Sequence, residues 1–197
     1  MKKYVLGTVA VALIVAVVAV IGVRSLLGKG EEPEFSTAQD SAQQAGQDSA
    51  GAAGQQPVAD RPVCPAGPIA GVDLPCLGAK SYAEAREVQI VNIWAWWCEP
   101  CRAELPYFQQ IARKHSAWNV VGVHADADAA KGAAFLEDIG VDLPSYQDDD
   151  NSFAGELGLP GVIPITLVVV DGQVKGTFVK PFTSSEELDS AIQDVIG

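Results

Sequence analysis

Apolar positions fall in short blocks whose spacing alternates between strand and helix periods. Glu87 to Trp94 carries Val88, Ile90, Val91, Ile93 and Trp94 among its eight residues, as expected of a buried strand. From Pro100 to His115 the apolar residues Leu105, Phe108 and Ile111 recur at three-residue steps, which predicts an amphipathic helix. Asn119 to His124 reads as a second strand, Ala129 to Ile139 as a helix and Ser152 to Leu157 as a short helix. Ile165 to Val170 and Val174 to Val179 flank Asp171-Gly172, a strong hairpin signal. Ser185-Glu186-Glu187-Leu188 opens a last helix, with a side-chain acceptor ahead of the apolar run. The order βαβα(α)ββα predicts an α/β domain, a mixed sheet covered on both faces.

Ahead of this domain the pattern changes twice. No charge interrupts Val5 to Val23, a span long enough at about 1.5 Å per residue to cross a bilayer core. Met1-Lys2-Lys3 supplies a cytoplasmic positive flank, which Arg24 and Lys29 on the far side weaken. A cleaved signal peptide competes with this reading, but Val23-Arg24-Ser25-Leu26-Leu27 offers no small-x-small cleavage site. The expectation is an uncleaved signal-anchor over residues 1–29, with the remainder outside the cytoplasm. Residues 30–60, rich in Gln, Ala, Gly, Ser and acidic side chains, have little to bury and predict a disordered tether. Such a coil holds the folded domain on the order of 30 Å from the membrane. Residues 61–197 are one domain in length and carry nine Lys and Arg against nineteen Asp and Glu. That excess excludes nucleic acid and anionic lipid surfaces as partners, since phosphate attraction needs clustered cations.

The chemistry concentrates in Trp97-Cys98-Glu99-Pro100-Cys101. Two cysteines separated by two residues at the start of a helix can form and break a disulfide between themselves. At the strand-to-helix junction, free backbone N–H groups and the helix dipole favour the Cys98 thiolate, the nucleophilic form. Cys101, one turn inside, is expected to be the more buried, resolving thiol. Zinc needs four ligands, and His115 and His124 stand alone, so no metal is expected. Cys64 and Cys76 form a second pair, read as a structural disulfide, with a second redox relay as the alternative. Asp148-Asp149-Asp150-Asn151 lacks the Gly and distal Glu of a calcium loop and reads as a solvated turn.

Val91-Asn92-Ile93-Trp94-Ala95-Trp96-Trp97-Cys98-Glu99-Pro100-Cys101-Arg102-Ala103-Glu104-Leu105-Pro106, followed by Val162-Ile163-Pro164-Ile165-Thr166, resembles the thioredoxin superfamily. Within it the chain resembles the membrane-anchored ResA/TlpA/CcsX branch of extracytoplasmic thiol-disulfide oxidoreductases. The resemblance implies a thioredoxin fold with Cys98 attacking, Cys101 resolving, and a cis Pro164 whose loop, with Ile163, binds substrate backbone. Asn92 stands where cytoplasmic thioredoxins place a buried Asp, and Glu104 matches the branch's carboxylate three residues after the second Cys. A buried Glu104 raises the thiol pKa values and passes protons; the alternative is an exposed Glu paired with Arg102 or Lys114. Trp97, Glu99 and Pro100 are expected to join Ile163 and Pro164 in contacting substrate, with Glu99 also tuning the potential at the helix start. The disulfide itself is the only redox group implied, with no added cofactor. Implied partners are exported protein thiols and disulfides, apocytochrome c among them, and a membrane thiol-electron transporter of CcdA/DsbD type. An oxidase or isomerase of exported proteins, and a redox-inactive peptide-binding module, are the competing functions.

Overall fold

A computed structural model describes residues 57–197. The expected anchor and most of the expected tether lie outside the described residues. No helix among those described is long and apolar enough to cross a membrane.

Chain order is β1 (Cys64–Pro65), β2 (Tyr82–Ala83), β3 (Val88–Trp94), α1 (Glu99–Lys114), β4 (Asn119–Ala125), α2 (Ala129–Asp138), β5 (Ser145–Asp148), α3 (Ser152–Glu156), β6 (Ile165–Val170), β7 (Gln173–Phe178) and α4 (Ser185–Ile196). The main sheet runs β5-β4-β3-β6-β7. β4 is parallel to both β3 and β5, while β6 is antiparallel to both β3 and β7. β3 is therefore central, hydrogen-bonded on both sides, and carries apolar residues toward both of its buried faces.

Alternation along β3 splits the core in two. Ile90 and Trp94 face α1, α2 and α4, packing with Leu105, Phe108, Ile111, Leu136, Leu188 and Ile192. Val91 and Ile93 face the opposite way, against Ile69, Val72, Tyr146 and Phe153. The second layer is mostly irregular chain: residues 64–77 strap the face and then pair with the edge of β5, where Leu77 N–H donates to Ser145 O at 2.8 Å and Gln147 N–H to Pro75 O at 2.8 Å. Covering this edge removes a row of unpaired backbone groups. Cys64 and Cys76 are bonded, Cα to Cα 5.7 Å, which closes the strap on itself. Replacing both by Ser is expected to lower unfolding free energy by about 3 kcal/mol through the freed loop entropy, measured as a shift in the urea midpoint. A loss under about 0.5 kcal/mol would show that the packing of Ile69 and Val72 alone holds the strap.

Four expectations are revised by the structure. β5 was hidden in the sequence because Tyr146 is its one large apolar residue; Ser145, Gln147 and Asp148 are polar and buried. Asp148 is not part of a solvated turn. It is 1% exposed, and its carboxylate accepts from Ser152 N–H at 3.0 Å and Phe153 N–H at 3.3 Å, tying the start of α3 to the sheet. β7 begins one residue earlier than expected, because Asp171 and Gly172 both take positive φ (52° and 72°) and the turn closes in two residues. Packing also begins before Arg61, since Ala59 lies against the core.

Candidate active site

Ala95 to Trp97 turn the chain from the end of β3 into α1, and Cys98 is the helix N-cap, with extended φ and ψ (−85°, 103°). Its Sγ accepts from Cys101 N–H at 3.3 Å, one of the donors a helix start leaves free. Pro100 costs nothing here, because the N–H it lacks would have had no helical partner. Cys98 and Cys101 are bonded to each other. Cys98 is 5% exposed and Cys101 fully buried, so an incoming thiol or thiolate reaches the pair at Cys98.

Glu104, one turn further, is fully buried. Its carboxyl accepts from Asn92 Nδ2 at 2.7 Å through Oε1 and from Phe182 N–H at 2.8 Å through Oε2. It makes no pair with Arg102, which bonds Asp138 at 3.0 Å, or with Lys114, which bonds Asp189 at 2.6 Å. Burial pushes the Glu104 pKa up to about 7, against the pull of the Phe182 and Asn92 bonds. Asn92 Oδ1 is buried without a partner. A rotated amide thus offers an acceptor to the protonated acid, and the present one offers a donor to the anion. Cys101 and Glu104 are i, i+3 neighbours on one helix, within reach of electrostatic coupling.

The Ile163–Pro164 peptide is cis. Pro164 is buried at the start of β6, and Ile163 and the exposed Val162 line a groove of about 540 Å³ with Trp97, Ile93, Ala125, Pro160 and Ile165. Trp97, the residue before Cys98, and Ile163, far from it in sequence, thus line one groove. Glu99 and Pro100 are exposed on the first turn of α1 and do not line that groove. Trp97 is 57% exposed, and its Nε1–H donates to Asp126 Oδ2 at 2.9 Å. Burial opposes ionisation of Asp126, but the bonds from Asp128 N–H and Trp97 outweigh it and hold its pKa below the ordinary value.

Sequence reading missed Asp126, His124, Gln147 and Phe182. One signal was available: in Val120-Val121-Gly122-Val123-His124 the period of two puts His124 on an inward face, an unusual place for a polar ring. His115 is structural, its Nε2 2.7 Å from Asp189 Oδ1 on α4 and its ring stacked on Trp118 at 3.8 Å.

A disulfide at a helix N-terminus, a mixed sheet of this order and a cis proline leading into β6 together define a thioredoxin-like protein. Residues 79–194 match Redoxin, and the chain belongs to that family. It is 30% identical over 87 residues to the thiol-disulfide oxidoreductase ResA of Bacillus thuringiensis (strain Al Hakam), covering 43% of this chain and 50% of that one. It is 34% identical over 85 residues to the thiol:disulfide interchange protein DsbE of Yersinia pestis, covering 43% of each. The crystal structure of a thioredoxin-related protein from Neisseria meningitidis serogroup B matches with a TM-score of 0.52 at 25% identity, over 63% of this chain and 98% of that one. The chain spans about half the length of the curated relatives it matches.

Proposed function

We propose that the protein is a thiol-disulfide oxidoreductase that reduces disulfides of exported proteins, held at the membrane by residues 1–29 with its catalytic domain on the extracytoplasmic side. The observation that carries this is the Cys98–Cys101 pair at the start of α1, with Trp97, the residue before Cys98, lining an apolar groove and buried Glu104 one turn beyond Cys101. In the reduced enzyme the Cys98 thiolate attacks one sulfur of a substrate disulfide. The Cys98–substrate mixed disulfide forms, and the other substrate sulfur leaves as a thiolate that takes a proton. Glu104, whose pKa burial raises to about 7, accepts the Cys101 proton. The Cys101 thiolate then attacks Cys98 Sγ, closing the internal disulfide and releasing the second substrate sulfur, which is protonated in turn. Two electrons pass from the dithiol to the substrate, one of the two protons comes from Cys101 and the other from solvent, and no cofactor besides the cysteine pair takes part.

For the substrate we infer apocytochrome c, whose haem-attachment cysteines must be free thiols, with a membrane thiol transporter of CcdA/DsbD type restoring the dithiol. The resemblance to the ResA/TlpA/CcsX branch supports this reading. Deleting the gene is expected to lower covalently bound haem c, and an external thiol reductant to restore part of it. Normal haem c in the deletion strain, with secreted proteins poor in disulfides, would move the assignment to oxidative folding.

A further inference from the structure

The ends of β4 and β5 nearest the groove carry a polar network that the exchange reaction does not use. His124 and Gln147 are register partners on the parallel pair and share a face. His124 is fully buried and Gln147 is 6% exposed. Apolar residues at these two positions would bury more cheaply.

The bonds run in one direction. Gln147 Nε2 donates to Asp126 O at 2.5 Å and to Asp149 Oδ1 at 2.8 Å, which commits both amide hydrogens. Oε1 is then an acceptor, and it lies 2.9 Å from His124 Nδ1, so the imidazole carries its proton on Nδ1. The ring cannot drift away from this bond. Trp94 lies on one side at 4.7 Å between centroids, and Gly132 of α2 presses close enough that a Cβ there would fall 2.6 Å from the ring. The amide that holds the Asp126 backbone is thereby seated on the core.

Asp126 passes the constraint outward. Its Oδ1 accepts from Asp128 N–H at 2.8 Å, and its Oδ2 holds the Trp97 indole, the groove wall next to Cys98. An indole as exposed as this one would otherwise sample several rotamers. We propose that Gln147 is a positioning residue for substrate recognition, fixing Trp97 through Asp126 from an anchor on His124, so that the groove is preformed for a polypeptide disulfide. The proposal rests on the oxidoreductase reading of that groove. A preformed wall lowers the ordering cost of binding and shows in KM rather than in the chemical step.

The test uses the purified full chain with two substrates, a disulfide-bonded peptide and the small disulfide 5,5′-dithiobis(2-nitrobenzoate), and reads Trp97 indole N–H exchange by NMR. Gln147→Met is expected to raise KM for the peptide about fivefold relative to the small disulfide, with kcat changed by less than about twofold. Indole exchange should quicken by about tenfold, and adding Asp126→Ala to Gln147→Met should add less than about twofold more, because both cut one chain of bonds. Exposed Asp149→Ala, which frees one Gln147 N–H without touching the core, should quicken the exchange by a smaller factor and decides the matter if Gln147→Met does not fold. Unaltered exchange and KM in these variants, or full multiplication of the Gln147 and Asp126 effects, overturns the proposal. Failure of the unmodified chain to reduce either disulfide would overturn the oxidoreductase reading instead, while indole exchange still reports on the network.

Discussion

Cys98→Ser is expected to lower disulfide reduction by about three orders of magnitude or more, since the one remaining thiol at the site, Cys101, is fully buried. Cys101→Ser has a different signature. With Cys98 still accessible and its partner gone, the mixed disulfide forms and has no internal thiol to resolve it, so covalent complexes with exported proteins accumulate. The asymmetry follows from burial, because Cys101 is sealed beneath Cys98 and the first turn of α1. Non-reducing gels followed by mass spectrometry of the trapped species check it. Equal trapping by the two variants would sink the assignment of attacking and resolving thiols.

Glu104→Gln is expected to act on both stability and thiol chemistry. In the folded protein the Glu104 pKa is about 7 against an ordinary 4.5, so between these values the folded state binds a proton that the unfolded state has lost. Stability is then fully present below pH 4.5 and falls as pH rises through 7, by about 3 kcal/mol for a shift of this size. Gln titrates nowhere in this range, and the difference between wild type and variant in urea midpoint from pH 4.5 to 8 isolates the contribution of Glu104 from that of other groups. In the reduced protein, removing the negative charge lowers the apparent pKa values of the dithiol by about one unit, read as a shifted alkylation profile because the three groups titrate together. An unchanged profile would uncouple Glu104 from the dithiol. A flat difference in stability would place the carboxyl in water.

Chain order and most elements of the sheet were legible because their residues obey one period at a time. β3, β4 and β6 read as strands and α1 as a helix from the spacing of their own apolar residues, α4 from its start signal at Ser185-Glu186-Glu187-Leu188, and Asp171-Gly172 announced the hairpin. β5 did not, since its polar residues are buried by partners distant in sequence: Pro75 and Leu77 cover its edge, and His124 receives Gln147. Cys98 and Cys101 were visible as a pair because three residues suffice to define that geometry. Pro164 reads as a proline heading a strand and the resemblance implies its cis bond, which is present, while the groove shared by Trp97 and Ile163 exists only once distant segments are brought together.

Sequence by itself determined the dithiol, the helix start that favours its thiolate, the alternation that builds a two-faced sheet and the apolar run over Val5 to Val23. Each depends on covalent neighbours or on a local period, and both survive without knowledge of what packs nearby. Tertiary structure alone decided which polar groups are buried and what they meet. Glu104 is read as a buried acid from the resemblance, with a solvent-facing helix residue as the alternative, and the choice falls to Asn92 on β3 and Phe182 ahead of α4, which supply the two donors that make burial tolerable. His124, Gln147 and Asp126 likewise gain their roles from contacts across β4 and β5, because desolvation and hydrogen bonding act through space and leave no period in the chain.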